Sequence, residues 1–288
     1  MTFRLHGAAG NQLFIIAAGL EFQQQGLAQV VFDATHISQQ SSFATSLQLP
    51  NLLLKGRRTV LEAARDAVGV RFSGASTTVR SSHARNSPGF ERLEGAQFSR
   101  GSRVLGLFQS WRHALRGLPS LRDGGLRLSR PSAWLSSIEE SAQRTSPIAV
   151  HVRGGDYASG GKKWGVLSPE YYVAAVKQAV RALGHTAPLW IFSDDRIRSE
   201  LVATKLSTIA HVEIRSCPPN LDPVNDMVAM SRASALVTAN SSFSWWAGFG
   251  LRRGSPVILP SPWLQTDGSR VDPYLPGWHT CPAVWDEP

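Results

Sequence analysis

Ile148-Ala149-Val150-His151-Val152-Arg153-Gly154-Gly155-Asp156-Tyr157 is a short apolar strand that hands one His, one Arg and one Asp to a glycine-rich turn. His151 and Arg153 stand two residues apart, so they project from the same face of the strand. A guanidinium forks onto two phosphate oxygens, and glycines let a backbone approach an anion closely. The segment therefore suits a diphosphate. A plain solvated Arg-Gly-Gly-Asp turn is the competing explanation.

Downstream of this strand, strand and helix patterns alternate. Ser168-Pro169-Glu170 opens a helix that ends at Gly184, with Ser as N-cap and Pro at the first helical position. Then come the strand Leu189–Phe192, a capped turn at Ser193-Asp194-Asp195 and a second helix. Asp222-Pro223 starts a third helix carrying Asp226. The strand Leu236–Thr238 meets Asn240-Ser241-Ser242 before an aromatic helix, Phe243–Phe249, and the strand Val257–Leu259 closes the series. Such alternation predicts a parallel sheet wound on both faces, with ligands beyond the carboxyl ends of the strands. The tips Arg153-Gly154-Gly155, Ser193-Asp194 and Asn240-Ser241-Ser242 are expected to share one cleft.

The chain opens in the same style. A strand from Phe3 to Leu5 leads to a helix from about Gln12 to Gln25, and a second strand, Val30–Phe32, ends at Asp33. Gly7 and Gly10 do not complete a GxGxxG fingerprint. Residues 36 to about 100 carry little pattern. Order returns at Val104–Trp111, and Pro131–Ser146 reads as a helix and an exposed connection. Two domains are expected, 1–145 and 146–288.

Composition narrows the class. At 288 residues, 42% hydrophobic and 18% charged, the chain is globular. Thr2–Leu5 already reads as a strand and no apolar run approaches the roughly 20 residues of a membrane span, so a cytosolic protein without a secretory leader is expected. Cys217 and Cys281, the only cysteines, lack metal spacing and are expected as free, buried thiols. The net charge of +9 concentrates in residues 51–130, which hold 15 of the 30 Lys and Arg against five acids. That stretch is either a solvated arginine surface or a docking face for an anionic or membrane-bound acceptor. It lacks the interleaved aromatics of a nucleic-acid binder.

Ser241 and Ser242 sit where a strand hands over to a helix, where hydroxyls, amides and helix dipole together favour phosphate; ordinary capping is the alternative. Asp226 is either a solvated helix carboxylate or an acceptor for the adjacent N–H donors of guanine.

Five ordered segments carry a resemblance. The His151–Tyr157 stretch resembles the HxRRGDY signature of the alpha-1,2-fucosyltransferases of glycosyltransferase family 11. Gly10-Asn11-Gln12-Leu13-Phe14 resembles that family's GNQLF, Leu105–Ser110 its GYFQS, Phe192-Ser193-Asp194-Asp195 its FSDD, and Ala239–Trp246 its ANSSFSWW. The resemblance implies an α/β, GT-B-like fold of two Rossmann-like domains with mainly parallel sheets. It implies metal-independent, inverting transfer of L-fucose from GDP-fucose to a galactoside, with no further cofactor. On matching positions it assigns Arg153 to the β-phosphate, His151 and Asp226 to the guanosine, and Ser241, Ser242 and Phe243 to the nucleotide pocket. Asn11 and Gln12 would face the cleft from the first domain. The acceptor would be a galactose-containing glycan, free or lipid-linked, met at the inner membrane face through the basic region.

Leaving-group charge would fall to Arg153 and the Ser241-Ser242 helix terminus. For the acceptor hydroxyl, Asp156 is the nearest carboxylate, with a brace for the turn, His6, or no dedicated base as alternatives. Two departures stand out: Gly154 replaces the second Arg of HxRRGDY, and Leu107 replaces a Tyr. Loss of that cation predicts weaker donor binding, restored by Arg at 154 or supplied by Lys162 and Lys163. A fucosyltransferase of other linkage or GDP-sugar, and a non-catalytic sugar-nucleotide or glycan binder, are the other functions compatible with these residues.

Overall fold

Ile148–Val152 forms a strand over its whole length, and all five residues are buried, as in a sheet covered on both faces. The computed structural model describes residues 1–26, 29–35, 37, 44–55, 78–80, 102–155, 157, 164–266 and 271–286. The predicted Asp156 base, Lys162, Lys163 and most of the basic stretch lie outside them.

Contacts divide the chain into two units. Unit 1 comprises Met1–Ala44, Leu49–Pro119 and Ser269–Asp272. Its elements are β1 (Thr2–Arg4), α1 (Ala9–Gln24), β2 (Val31–Asp33), β3 (Leu54–Lys55), β4 (Thr78–Arg80), β5 (Arg103–Leu105) and α2 (Trp111–Gly117). The sheet order is β3-β2-β1-β5-β4, and every pairing is parallel. Helix α1 is buried from Ala9 through Phe22 except at Asn11, which explains why its apolar residues follow no amphipathic stripe.

Helices α1 and α2 meet closely. A Cβ on Gly117 would stand 2.5 Å from the Ala17 carbonyl carbon and 2.7 Å from its Cα. Alongside, the Glu21 carboxylate pairs with His113 Nδ1 at 2.6 Å and Arg116 Nη1 at 2.9 Å. Burial opposes its ionisation, yet those two bonds hold it below the usual carboxylate range. The chain also returns from its far end: Asp272 accepts from Ser110 Oγ at 3.0 Å, pairs with Arg112, and its carbonyl accepts from Trp111 N–H at 3.0 Å.

Unit 2 comprises Thr45–Gln48, Ser120–Gly268 and Pro273–Pro288. It contains α3 (Ala133–Thr145), β6 (Ile148–Val152), α4 (Pro169–Leu183), β7 (Leu189–Ser193), α5 (Arg196–Leu206), β8 (Val212–Ile214), α6 (Val224–Met230), β9 (Ala235–Val237), α7 (Ser242–Phe249), β10 (Val257–Ser261) and β11 (His279–Pro282). The order β11-β10-β9-β6-β7-β8 is again all parallel. Ile148, Val150, Tyr171, Val176, Ile191 and Leu206 belong to its core. The strand series does not close at Val257–Leu259 as predicted: β11 adds an edge, hidden in sequence by the brevity of His-Thr-Cys-Pro and its terminal proline.

The units part at Pro119/Ser120, not near Thr145. Helix α3 is fastened to the second sheet's surroundings: Arg232 Nε pairs with Glu139 at 2.8 Å, and Ser132 Oγ donates to Asn225 Oδ1 at 2.7 Å. Of the cysteines, Cys281 is buried and Cys217 only half-buried, both as free thiols. Among the described residues no helix is long and apolar enough to cross a membrane.

The α1–α2 contact sets a test. Gly117→Ala is expected to destabilise the protein by about 1–3 kcal/mol, the usual cost of overpacking against backbone, read as a lower denaturant midpoint at unchanged slope.

Candidate functional site

In unit 2 the order of strands reverses at β6: β7 and β8 lie on one side, β9 to β11 on the other. Crossovers leaving in opposite directions cover opposite faces and open a crevice at the carboxyl ends of β6 and β9. Arg153 follows β6 and Asn240-Ser241 follow β9, so both border that crevice.

The β6 turn is built by carboxylates from the β7 turn. Asp194 Oδ2 pairs with Arg153 Nη1 at 2.7 Å, and its Oδ1 accepts from the Gly154 amide at 3.1 Å. Asp195 caps α5, accepting from Arg198 N–H at 3.0 Å. A Cβ on Gly154 would stand 2.6 Å from Asp195 Cβ and 2.8 Å from its Cγ. Position 154 therefore faces a filled space, so glycine there fits the cap of a neighbouring helix. Regaining donor affinity by placing Arg at 154 is accordingly not expected; the side chain would have to displace Asp195.

The β9 turn completes the wall. Ser241 is the N-cap of α7, its Oγ accepting from Phe243 N–H at 3.3 Å, so the capping role is real. Asn240 Nδ2 donates to the Trp164 carbonyl at 2.8 Å, and Tyr157 Oη donates to the Asn240 carbonyl at 3.3 Å. The Arg153 guanidinium lies 5.2 Å from the Tyr157 ring centre. His151, 3% exposed, packs its ring 5.8 Å from that of Phe243. Its Nδ1 meets no partner among the described residues. Burial, with the Arg153 charge beside it, brings the imidazole down to about 3, so it is neutral at physiological pH.

Asp226 comes from α6. Its Oδ1 accepts from the Cys217 amide at 2.6 Å; next to it, Ser216 Oγ donates to the Ser193 carbonyl at 3.0 Å and accepts from Ser193 N–H at 2.8 Å. This chain of bonds anchors Asp226 to the carboxyl end of β7. Desolvation pushes its carboxyl up to about 7 against the opposing Cys217 bonds, while burial and Asp226 push the Cys217 thiol up to about 12.

Asn11 and Gln12 lie on α1 in unit 1. Gln12 is fully buried: Nε2 donates to the Gly7 carbonyl at 2.8 Å and Oε1 accepts from Ala44 N–H at 3.0 Å. Its amide braces unit 1. Asn11 Oδ1 accepts from Gln109 Nε2 at 2.8 Å, tying the first and second sequence motifs together. Among the described residues no cluster of three His, Cys, Asp or Glu could hold a metal ion. The partnership of Asp194 and Asp195 with the β6 turn was not visible in sequence, although both stand in a recognised motif.

The sequence model of Glycosyl transferase family 11 matches residues 135–281, which span β6 to β11 nearly whole and just over half the chain. The chain belongs to glycosyltransferase family 11. It is 25% identical over 209 residues to an alpha-1,2-colitosyltransferase of Escherichia coli, covering 68% of each chain. It is 30% identical over 131 residues to the O-antigen biosynthesis glycosyltransferase WbnK of Escherichia coli, covering 44% of this chain and 41% of that one. Among solved structures, a glycosyl transferase family 9 protein of Veillonella parvula superposes with a TM-score of 0.50 at 12% identity, covering 98% of this chain and 85% of that one. That likeness concerns the fold, an α/β, GT-B-like pair of Rossmann-like units. The family match includes Arg153, Asp194, Asp226 and Ser241 and leaves Asn11 and Gln12 outside it.

Two outcomes follow for this glycosyltransferase. Gly154→Ala is expected to cost about 1–3 kcal/mol by overpacking and cap disturbance. Combined with Asp195→Gly, which vacates the blocking atoms, it should add less than its separate cost in a double-mutant cycle. Asp226, protonated in the folded protein up to about pH 7 and ionised in the unfolded chain above about pH 4, favours folding less as pH rises through that window. Thermal unfolding from pH 4.5 to 7.5 should therefore show wild type losing stability relative to Asp226→Asn as pH increases; parallel profiles would mean Asp226 does not titrate there.

Proposed function

We propose that this family 11 enzyme transfers L-fucose from GDP-fucose to the 2-hydroxyl of a galactoside, with inversion and without a metal. One observation carries the proposal: Arg153, held by Asp194, stands at a strand-order reversal beside the capped amino end of α7.

In this scheme, sugar–phosphate cleavage leaves negative charge on GDP. Arg153 receives it together with the amino end of α7, through the Ser242 amide and the Ser241 and Ser242 hydroxyls, while the Phe243 amide stays on the Ser241 cap. His151 serves as a neutral imidazole packed at a tilt against Phe243, reading the nucleoside through its ring nitrogens. Asp226 accepts from guanine N–H groups, a task suited to its ionised form. Asp156 removes the acceptor proton. Gln12 braces its own helix and Asn11 bonds Gln109, both within unit 1. The acceptor is a galactose-containing glycan, lipid-linked acceptors included, and basic residues of 51–130 provide peripheral membrane contact in the cytoplasm.

A second donor is favoured by a specific finding. The 25% identical relative is named for colitose, so a related GDP-sugar competes with GDP-fucose. Purified protein should be offered both donors with a galactoside, and the product linkage read by NMR. A β-configured donor giving an α-1,2-linked fucosyl product is expected. Transfer of colitose alone moves the assignment to the second donor, and binding without transfer to either would leave a non-catalytic binder.

Arg153→Ala is expected to lower kcat at least a hundredfold while leaving the unfolding midpoint nearly unchanged. Near-normal turnover would remove Arg153 from the reaction.

A further inference from the structure

A cavity of about 560 Å³ lies in unit 2, within the size range of small-ligand sites. Arg127, Glu139, Ser146, Arg232, Ser234 and Arg252 are among its walls. Ser146 and Pro147 lead into β6, Ser234 into β9, and Ser255 and Pro256 into β10. The cavity is therefore at the amino ends of strands whose carboxyl ends lead to Arg153 and Ser241. The five residues of β6 put roughly 13 Å of strand between the two ends, from a rise of about 3.3 Å per residue.

Its charge is one-sided. Arg232 is fixed: Nε pairs with Glu139 at 2.8 Å, Nη1 donates to Ser231 Oγ at 3.0 Å and Nη2 to the Leu126 carbonyl at 2.8 Å. Arg127 and Arg252 are exposed and make no ion pair with a described residue. Three guanidiniums thus share a cavity with one carboxylate. Each guanidinium carries five donors and no acceptor, while the Ser231 and Ser234 hydroxyls already donate to the carbonyls of Val228 and of Ser146 and Pro147. Phosphate oxygens match such a wall better than any neutral group, because charge-assisted bonds from guanidinium are roughly twice as strong as neutral ones.

We propose that this cavity is a second anion site, binding a small phosphorylated compound, a phosphate ester or diphosphate, through Arg127 and Arg252 with Arg232 held in place by Glu139. The site is independent of the donor assignment. The same chemistry could reach it as a free compound or as the phosphate of a lipid headgroup.

The full-length chain should be titrated with inorganic pyrophosphate by calorimetry at low salt, beside Arg127→Ala/Arg252→Ala and Arg153→Ala. Saturable binding weakened at least tenfold in the double variant and retained in Arg153→Ala is expected for a free compound. Sedimentation with phosphatidylglycerol vesicles, lost in the double variant, would support the same arginines acting on a lipid phosphate. Binding of both probes unchanged in the double variant, or absent from wild type, would overturn the site. Both arginines are exposed, so their replacement leaves the unfolding midpoint as an internal check on folding.

Discussion

The reversal of strand order at β6 governs the second unit. A parallel sheet returns each strand in the same direction, so all carboxyl ends lie along one edge and every turn leaving them competes for the same space. At most positions a crossover fills that space. Between β6 and β9 the crossovers diverge, which leaves the turns at Arg153 and Asn240 side by side where such sheets bind ligands. The site is thus placed by topology before any side chain is considered, and its residues then decide what the crevice holds.

Carboxylates decide much of that. Asp194 and Asp195 are adjacent, yet one holds the Arg153 side chain and the Gly154 amide while the other caps α5 and fills the space beside Gly154. A turn so braced keeps its guanidinium oriented, and in the proposed transfer that orientation weighs more than the number of cations nearby. Neutral His151 serves the same end, since an imidazolium packed beside Arg153 would raise the cost of both charges.

Sequence revealed the fold wherever apolar runs were bounded by capping residues. Ile148–Val152 and the helix from Pro169 to Gly184 emerged with the expected limits because Ser168, Pro169 and Gly184 mark them, Gly184 with a φ of 78°. Strands β3, β8 and β11, of two, three and four residues, offered too little pattern to separate from loops. The site was legible as residue types at β6, β9 and α6. Its pairings were not: Arg153 and Asp194 are forty-one positions apart, and only the register of β6 with β7, Val152 beside Ser193, brings their turns together. The filled space beside Gly154 was hidden for the same reason, since Asp195 is remote in sequence.

The surplus of positive charge also acquires meaning from pairing. Arg112, Arg116, Arg153, Arg198, Arg215 and Arg232 each meet a carboxylate: Asp272, Glu21, Asp194, Asp286, Glu213 and Glu139. These pairs fix elements and cancel within the protein, drawing on six of its 21 acids. Each pair cancels internally and leaves the net +9 to the other charges, and a charge that faces solvent is screened beyond about 10 Å. Such charges attract strongly only where several converge on one concavity. Arg127 and Arg252 meet that condition at the amino ends of the second sheet, whereas the guanidinium of Arg153 has its charge met by Asp194 and its orientation fixed by the same pair.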